Sequence, residues 1–110
     1  MTFDEYQKQA LTQAVNDYEP LMEKTIWAMG VAGEAGEVIE KWKKIVAYKD
    51  GRISDEDVTE LAKELGDVVW YIAVFASALG LSFDDVMQRN ITKLKDRQER
   101  EVLKGAGDNR

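Results

Sequence analysis

Four acidic residues stand out by type and spacing: Glu34 with Glu37, and Glu64 with Asp67. An i, i+3 spacing puts two carboxylates on one side of a helix. On a 3.6-residue helix, Glu34 shares the apolar stripe of Trp27, Val31, Val38 and Ile45, and Glu37 lies at its edge. Glu64 and Asp67 line the margin of a second stripe, formed by Leu61, Val68 and Phe75. A carboxylate facing a core is costly unless it is paired or metal-bound. In an antiparallel hairpin centred near Gly51, residues with equal index sums lie at one level. Glu34 with Asp67 and Glu37 with Glu64 have the same sum, so all four acids meet on facing stripes. Converging like charges call for cations. An all-oxygen cage suits Mg²⁺, which keeps waters and binds phosphates, and Mn²⁺ also fits. The alternative is a set of solvated acids with lysine partners. Lys41 and Lys44 follow Glu37 by one and two turns, and Lys63 adjoins Glu64.

Other chemistries are excluded by composition. The chain has no Cys and no His. Thiolate metal sites, His-activated nucleophiles and Glu-x-x-His di-iron sites are therefore absent. A net charge of −6 disfavours nucleic acid and anionic membranes as partners. The longest uncharged run, Val68 to Phe83, is 16 residues, and a spanning helix needs ~20. No apolar signal core precedes Asp4 and Glu5, so a cytoplasmic location is expected. Residues 89–110 hold seven basic and four acidic side chains, which gives an acidic body with a basic C-terminal stretch. That arrangement suits metals beside phosphates, or simply two solvated helix faces.

The elements that must position these residues are helices. Thr2-x-x-Glu5 predicts a capping box and a first helix to about Asn16, broken at Asp17-Tyr18-Glu19-Pro20. A second helix is expected from about Leu21 to Tyr48, with Gly30 or Gly33 as points of interruption. A turn at Lys49-Asp50-Gly51-Arg52 leads to a Ser54-x-x-Asp57 cap and a third helix to about Leu79. Gly80 ends it, and Ser82-x-x-Asp85 caps a fourth helix that fades near Glu101. The fold class is all-α, an antiparallel four-helix bundle in one domain over residues 1–104, with 105–110 (GAGDNR) as a flexible tail. The stretch VVWYIAVFASAL, Val68 to Leu79, is apolar all round and must be covered all round. Three companion helices do that poorly, so a homo-oligomer, dimer or tetramer, is expected.

Gly33-Glu34-Ala35-Gly36-Glu37-Val38-Ile39-Glu40 followed by Glu64-Leu65-Gly66-Asp67-Val68 resembles the MazG-type all-α nucleoside triphosphate pyrophosphohydrolases. That superfamily includes dimeric dUTPases, dCTP pyrophosphatases and phosphoribosyl-ATP pyrophosphohydrolase. The resemblance spans roughly residues 20–100. Asn90-x-x-Lys93-Leu94-x-x-Arg97 also fits, and the tail is similar to that of small phage-type members. The resemblance implies a MazG-like bundle and Mg²⁺-dependent cleavage of a (deoxy)nucleoside triphosphate to monophosphate and pyrophosphate. It implies Glu34, Glu37, Glu64 and Asp67 as metal ligands. Family members often carry a glutamate doublet whose first place is Gly33 here, which leaves Glu37 or Glu40 as the candidate base.

Phosphoryl transfer needs no protein nucleophile, in keeping with a chain without Cys or His. If the third and fourth helices are antiparallel about Leu81, Asp67 falls level with Lys95 and close to Lys93 and Arg97. Lys93 and Arg97, with Asn90, are the expected phosphate contacts; simple solvation is the other option. Tyr71, one turn after Asp67, is expected at the base, and Trp27 and Trp42 are further pocket candidates unless they are core. Gly30, Gly33 and Gly36 run against helix propensity and permit close approach of a ligand or a helix, or mark a kink. Two rival functions stand beside this one: a non-catalytic helical interaction module, and phosphoribosyl-ATP hydrolysis.

Overall fold

The computed structural model describes residues 1–104, with side chains to Glu101; the expected 105–110 tail lies outside the described residues. Four helices follow in order: α1 (Phe3–Gln13), α2 (Pro20–Lys49), α3 (Asp55–Ala78) and α4 (Phe83–Lys104). Thr2 and Glu5 close the expected capping box on α1. The helix stops three residues before Asn16, because Asn16 turns its amide onto the Ala14 carbonyl (2.9 Å) and Glu23 (2.7 Å). Pro20 occupies the first turn of α2, where its missing N–H costs nothing, and Glu19 caps Met22.

No break occurs in α2 at Gly30 or Gly33; it runs 30 residues without interruption. It ends on Asp50 and Gly51, both at positive φ (53° and 73°), with Gly51 N–H donating to Ile45 (3.2 Å). Ser54 and Asp57 then form the capping box of α3. The α2–α3 pair is thus a long antiparallel hairpin.

α1 fastens the corner between α3 and α4. The Gln7 amide donates to the carbonyls of Ala73 (2.9 Å) and Leu81 (3.1 Å), and its oxygen accepts from Phe83 N–H (3.2 Å). Asp4 accepts from Asp84 N–H (2.9 Å). Together with Ser82, they cap the free N–H groups that open α4. Phe83 is buried and packs on Phe3 (5.1 Å) and Tyr6 (6.4 Å). The result is a bend of 101° between α3 and α4. The antiparallel return that would set Lys95 level with Asp67 does not occur within one chain, because α1 holds the start of α4 against itself.

The core (Ala10, Trp27, Ala73, Val74 and Phe83) gathers at this corner, and Ile45 is buried toward the other end of the hairpin. Of the apolar run in α3, Ala73, Val74 and Ala76 are buried, whereas Val69 and Leu79 are exposed. The radius of gyration is 17.6 Å, against ~13 Å for a compact chain of this length. The surface is 8150 Å², against ~6,200 Å² for a monomer of this mass. Among the described residues, no single helix is long and apolar enough to cross a membrane.

Candidate metal centre

One stripe of α2 runs along the seam with α3: Trp27, Gly30, Glu34, Lys41 and Ile45. Each residue finds a different environment. Trp27 packs on Trp70 (5.6 Å) and Tyr71 (6.0 Å). Gly30 lies directly under the Tyr71 ring, where a Cβ would overlap ring atoms. The α2 glycine spacing thus has one physical reason at Gly30, close helix approach; Gly33 and Gly36 face open space. Gly30 with Tyr71, Glu34 with Asp67, and Lys41 with Glu60 all keep the same index sum, so the register expected from the sequence holds along the hairpin.

Glu34, Glu64 and Asp67 each present an oxygen within 4.8 Å of the others. Glu34 and Glu64 are partly buried and Asp67 is open to solvent. Burial, followed by the charges of Asp67, Glu64 and Glu37, pushes the Glu34 carboxyl above the usual carboxylate range. Glu37 itself is exposed and lies outside the triangle, though near enough to repel Glu34. Glu40 points elsewhere, to Lys44 (3.7 Å) and Lys43 (3.9 Å). The donor set is wholly carboxylate oxygen on a partly dry seam, which fits a hard divalent cation.

The lysine alternative is met only at the margin. Lys41 bridges Glu60 (3.2 Å) and Glu64 (3.4 Å), and Lys63 pairs with Glu60 (3.1 Å). The Glu60 hydrogen bond leads the effects that raise the Lys41 ammonium. None of these lysines reaches Glu34 or Asp67 among the ion pairs of the described residues.

Beside the triangle is a hollow of ≈ 340 Å³ lined by Gln13, Glu34, Asp67, Trp70 and Tyr71. Tyr71 lines this hollow, one turn after Asp67. Trp27 belongs to the core behind it, and Trp42 lies exposed farther along α2. Lys93, Asn90 and Arg97 lie along α4, which the 101° bend carries away from the seam. Three contributors, Trp70, Gln13 and Tyr6, were missed from sequence. Trp70 donates its indole N–H to Gln13 (2.9 Å), bringing α1 to the site. Tyr6 is pushed above its usual range by burial and then by Asp67. The available signal was the α1 stripe Tyr6–Ala10–Gln13, which mixes polar groups with a core alanine.

The sequence model of the MazG nucleotide pyrophosphohydrolase domain matches residues 23–102. The chain is also similar to the Gene 37 protein of Mycobacterium phage L5, 50% identical over 82 residues, which is 74% of this chain and 72% of that protein. No solved structure matches. With the domain model covering most of the chain and the acidic seam inside it, the protein belongs to the MazG nucleotide pyrophosphohydrolase family.

Proposed function

We propose that the protein is a Mg²⁺-dependent pyrophosphohydrolase cleaving a (deoxy)nucleoside triphosphate to monophosphate and pyrophosphate. The carrying observation is the triangle of Glu34, Glu64 and Asp67 across the α2–α3 seam. In this reading those three acids and Glu37 hold the divalent ions, with Mn²⁺ able to replace Mg²⁺. Ions bound there would supply charge neutralisation at the phosphates and would make water a better nucleophile at neutral pH. Glu37 or Glu40 would take the proton of the attacking water. Glu37 is the stronger candidate, because Glu40 is engaged by Lys43 and Lys44. Trp70 and Tyr71 flank the hollow and receive the base.

Lys93, Arg97 and Asn90 are assigned to the phosphates, and the bend dictates how. Lys93 is ten residues into α4 and Asp67 eleven residues before the end of α3. At 1.5 Å per residue and nearly a right angle, the two backbones are separated by about 20 Å. In this reading a second copy brings its α4 to the seam. The open surface and the exposed Val69, Leu79, Ile91 and Leu94 support such an assembly, a dimer or tetramer.

A panel of nucleoside triphosphates with Mg²⁺, scored for pyrophosphate against orthophosphate, tests the chemistry. Monophosphate and pyrophosphate are expected, and EDTA abolishes them. Diphosphate and orthophosphate as primary products overturn the proposal. Light scattering at micromolar protein tests the assembly, and a monodisperse 12.5 kDa particle refutes it.

A further inference from the structure

We propose that Gln13 of α1 selects the base of the nucleotide, donating a hydrogen bond from its side-chain amide to a carbonyl on the base edge. The inference rests on the nucleotide-hydrolase reading above and adds the base class. Gln13 lies before residue 23, where the family match begins, so nothing in that match assigns it. It shares the ≈ 340 Å³ hollow with Glu34, Asp67, Trp70 and Tyr71, a volume at the lower end of the ~300–1,000 Å³ that ligand pockets occupy.

The orientation of Gln13 is fixed by chemistry. The Trp70 indole N–H can only donate, so the atom it meets at 2.9 Å must be the Gln13 carbonyl oxygen. The amide nitrogen is then the free end, with two N–H donors and no hydrogen-bond partner among the described residues. The helix carrying it is anchored: Ala10 is in the core, and Gln7 and Asp4 bind the α3–α4 corner. Trp70 and Tyr71 meet edge to face at 5.1 Å and 85°, offering ring surface to a base in the hollow. Uracil, thymine and guanine accept where cytosine and adenine donate. A fixed donor binds the first group and leaves the second unsatisfied.

The test uses α,β-methylene analogues of dUTP, dCTP, dGTP and dATP, which bind without being cleaved. Quenching of tryptophan fluorescence with Mg²⁺ present gives affinities. Wild type is expected to bind the keto member of each pair, dUTP over dCTP and dGTP over dATP, about three- to tenfold more tightly. Gln13→Leu brings both ratios to about one. Gln13→Glu keeps an acceptor for Trp70 but replaces the donor, so the ratios invert. Taking ratios within one variant cancels the added charge. Gln13 is exposed at the end of α1, so melting temperatures of both variants should match wild type. A wild-type ratio near one, a ratio unchanged in Gln13→Leu, or no quenching by any analogue overturns the proposal. The hydrolase reading fails separately, if wild type binds the analogues yet releases no pyrophosphate from any cleavable triphosphate.

Discussion

Gly30→Ala and Gly33→Ala make the same chemical change three residues apart on one helix, on opposite sides of the packing rules. At an open helix position, alanine gains about 1 kcal/mol over glycine from backbone entropy. Gly33 has nothing within 4 Å of a built Cβ, so it should show that gain in full. At Gly30 the Cβ would stand 2.7 Å from Tyr71 Cγ and closer still to Cδ1 and Cε1. Carbon atoms prefer about 3.5–4.0 Å, so the ring must retreat by roughly 1 Å. Trp70 at 5.1 Å and Trp27 at 6.0 Å from that ring oppose the movement. Overpacking of this kind costs about 1–3 kcal/mol, more than the propensity gain can offset. The propensity gain is common to both variants, so they should differ by the overpacking cost, about 1–3 kcal/mol. At about 4–8 °C per kcal/mol for a chain of this size, their melting temperatures should differ by about 4–24 °C, with Gly33→Ala the higher. Calorimetry at fixed protein concentration without metal reads this directly. Equal melting temperatures, or Gly30→Ala above wild type, would refute the close packing of Tyr71 on α2.

Glu34→Gln or Asp67→Asn should lose nearly all turnover while melting, metal-free, at or above the wild-type temperature; Mg²⁺ should raise the melting temperature of wild type much more than of either variant. An active variant that melts well below wild type would contradict this. The pH dependence of metal-free stability should have two limbs. Glu34 has a raised folded pKa, so its ionisation is unfavourable to folding, and the melting temperature should rise as pH falls through that value, which lies above 4.5. Asp57, held low chiefly by Lys49, and Glu60, held low chiefly by Lys63, stabilise above their unfolded values, and that contribution should vanish as pH falls through their lowered folded values. Glu34→Gln should erase only the first limb in a melting series. Lys93→Ala or Arg97→Ala should raise the KM for triphosphate and leave Mg²⁺ binding intact, and unchanged kinetics in both would place those residues outside the site.

The hairpin and its acids were legible because rigid helices joined by a short turn convert residue numbers into positions. Glu34, Asp67 and Tyr71 stand where that conversion puts them. Glu37 illustrates its limit: three residues turn a helix by about 300°, which moves the side chain off the seam while keeping its charge nearby. The direction of α4 could not be read from its cap. Ser82 and Gly80 mark where the helix changes, but the angle is set by Phe83, Gln7 and Asp4, through contacts up to 80 residues apart in sequence. Gln13 stayed hidden for the same reason. Its partner Trp70 is 57 residues away and sits in a run that reads as uniform core.

Among the described residues the seam contains both paired and unpaired acids, and that contrast is what the proposed metal centre, rather than an ordinary ion-pair network, would require. Asp57 and Glu60 have lysine partners at 2.7 and 3.1 Å, and their carboxyls are held below the usual range. Those are acids settled by the protein itself. Glu34 is on the same hairpin, yet every charged group that shifts it is another acid, and its shift is upward. Lys41 divides itself between Glu60 and Glu64 and stops at the edge of the triangle. A network built for stability would place its base between Glu34 and Asp67. Among the described residues no ion pair puts a base there, against the rule that partly buried charges are paired, and a divalent cation would resolve the conflict.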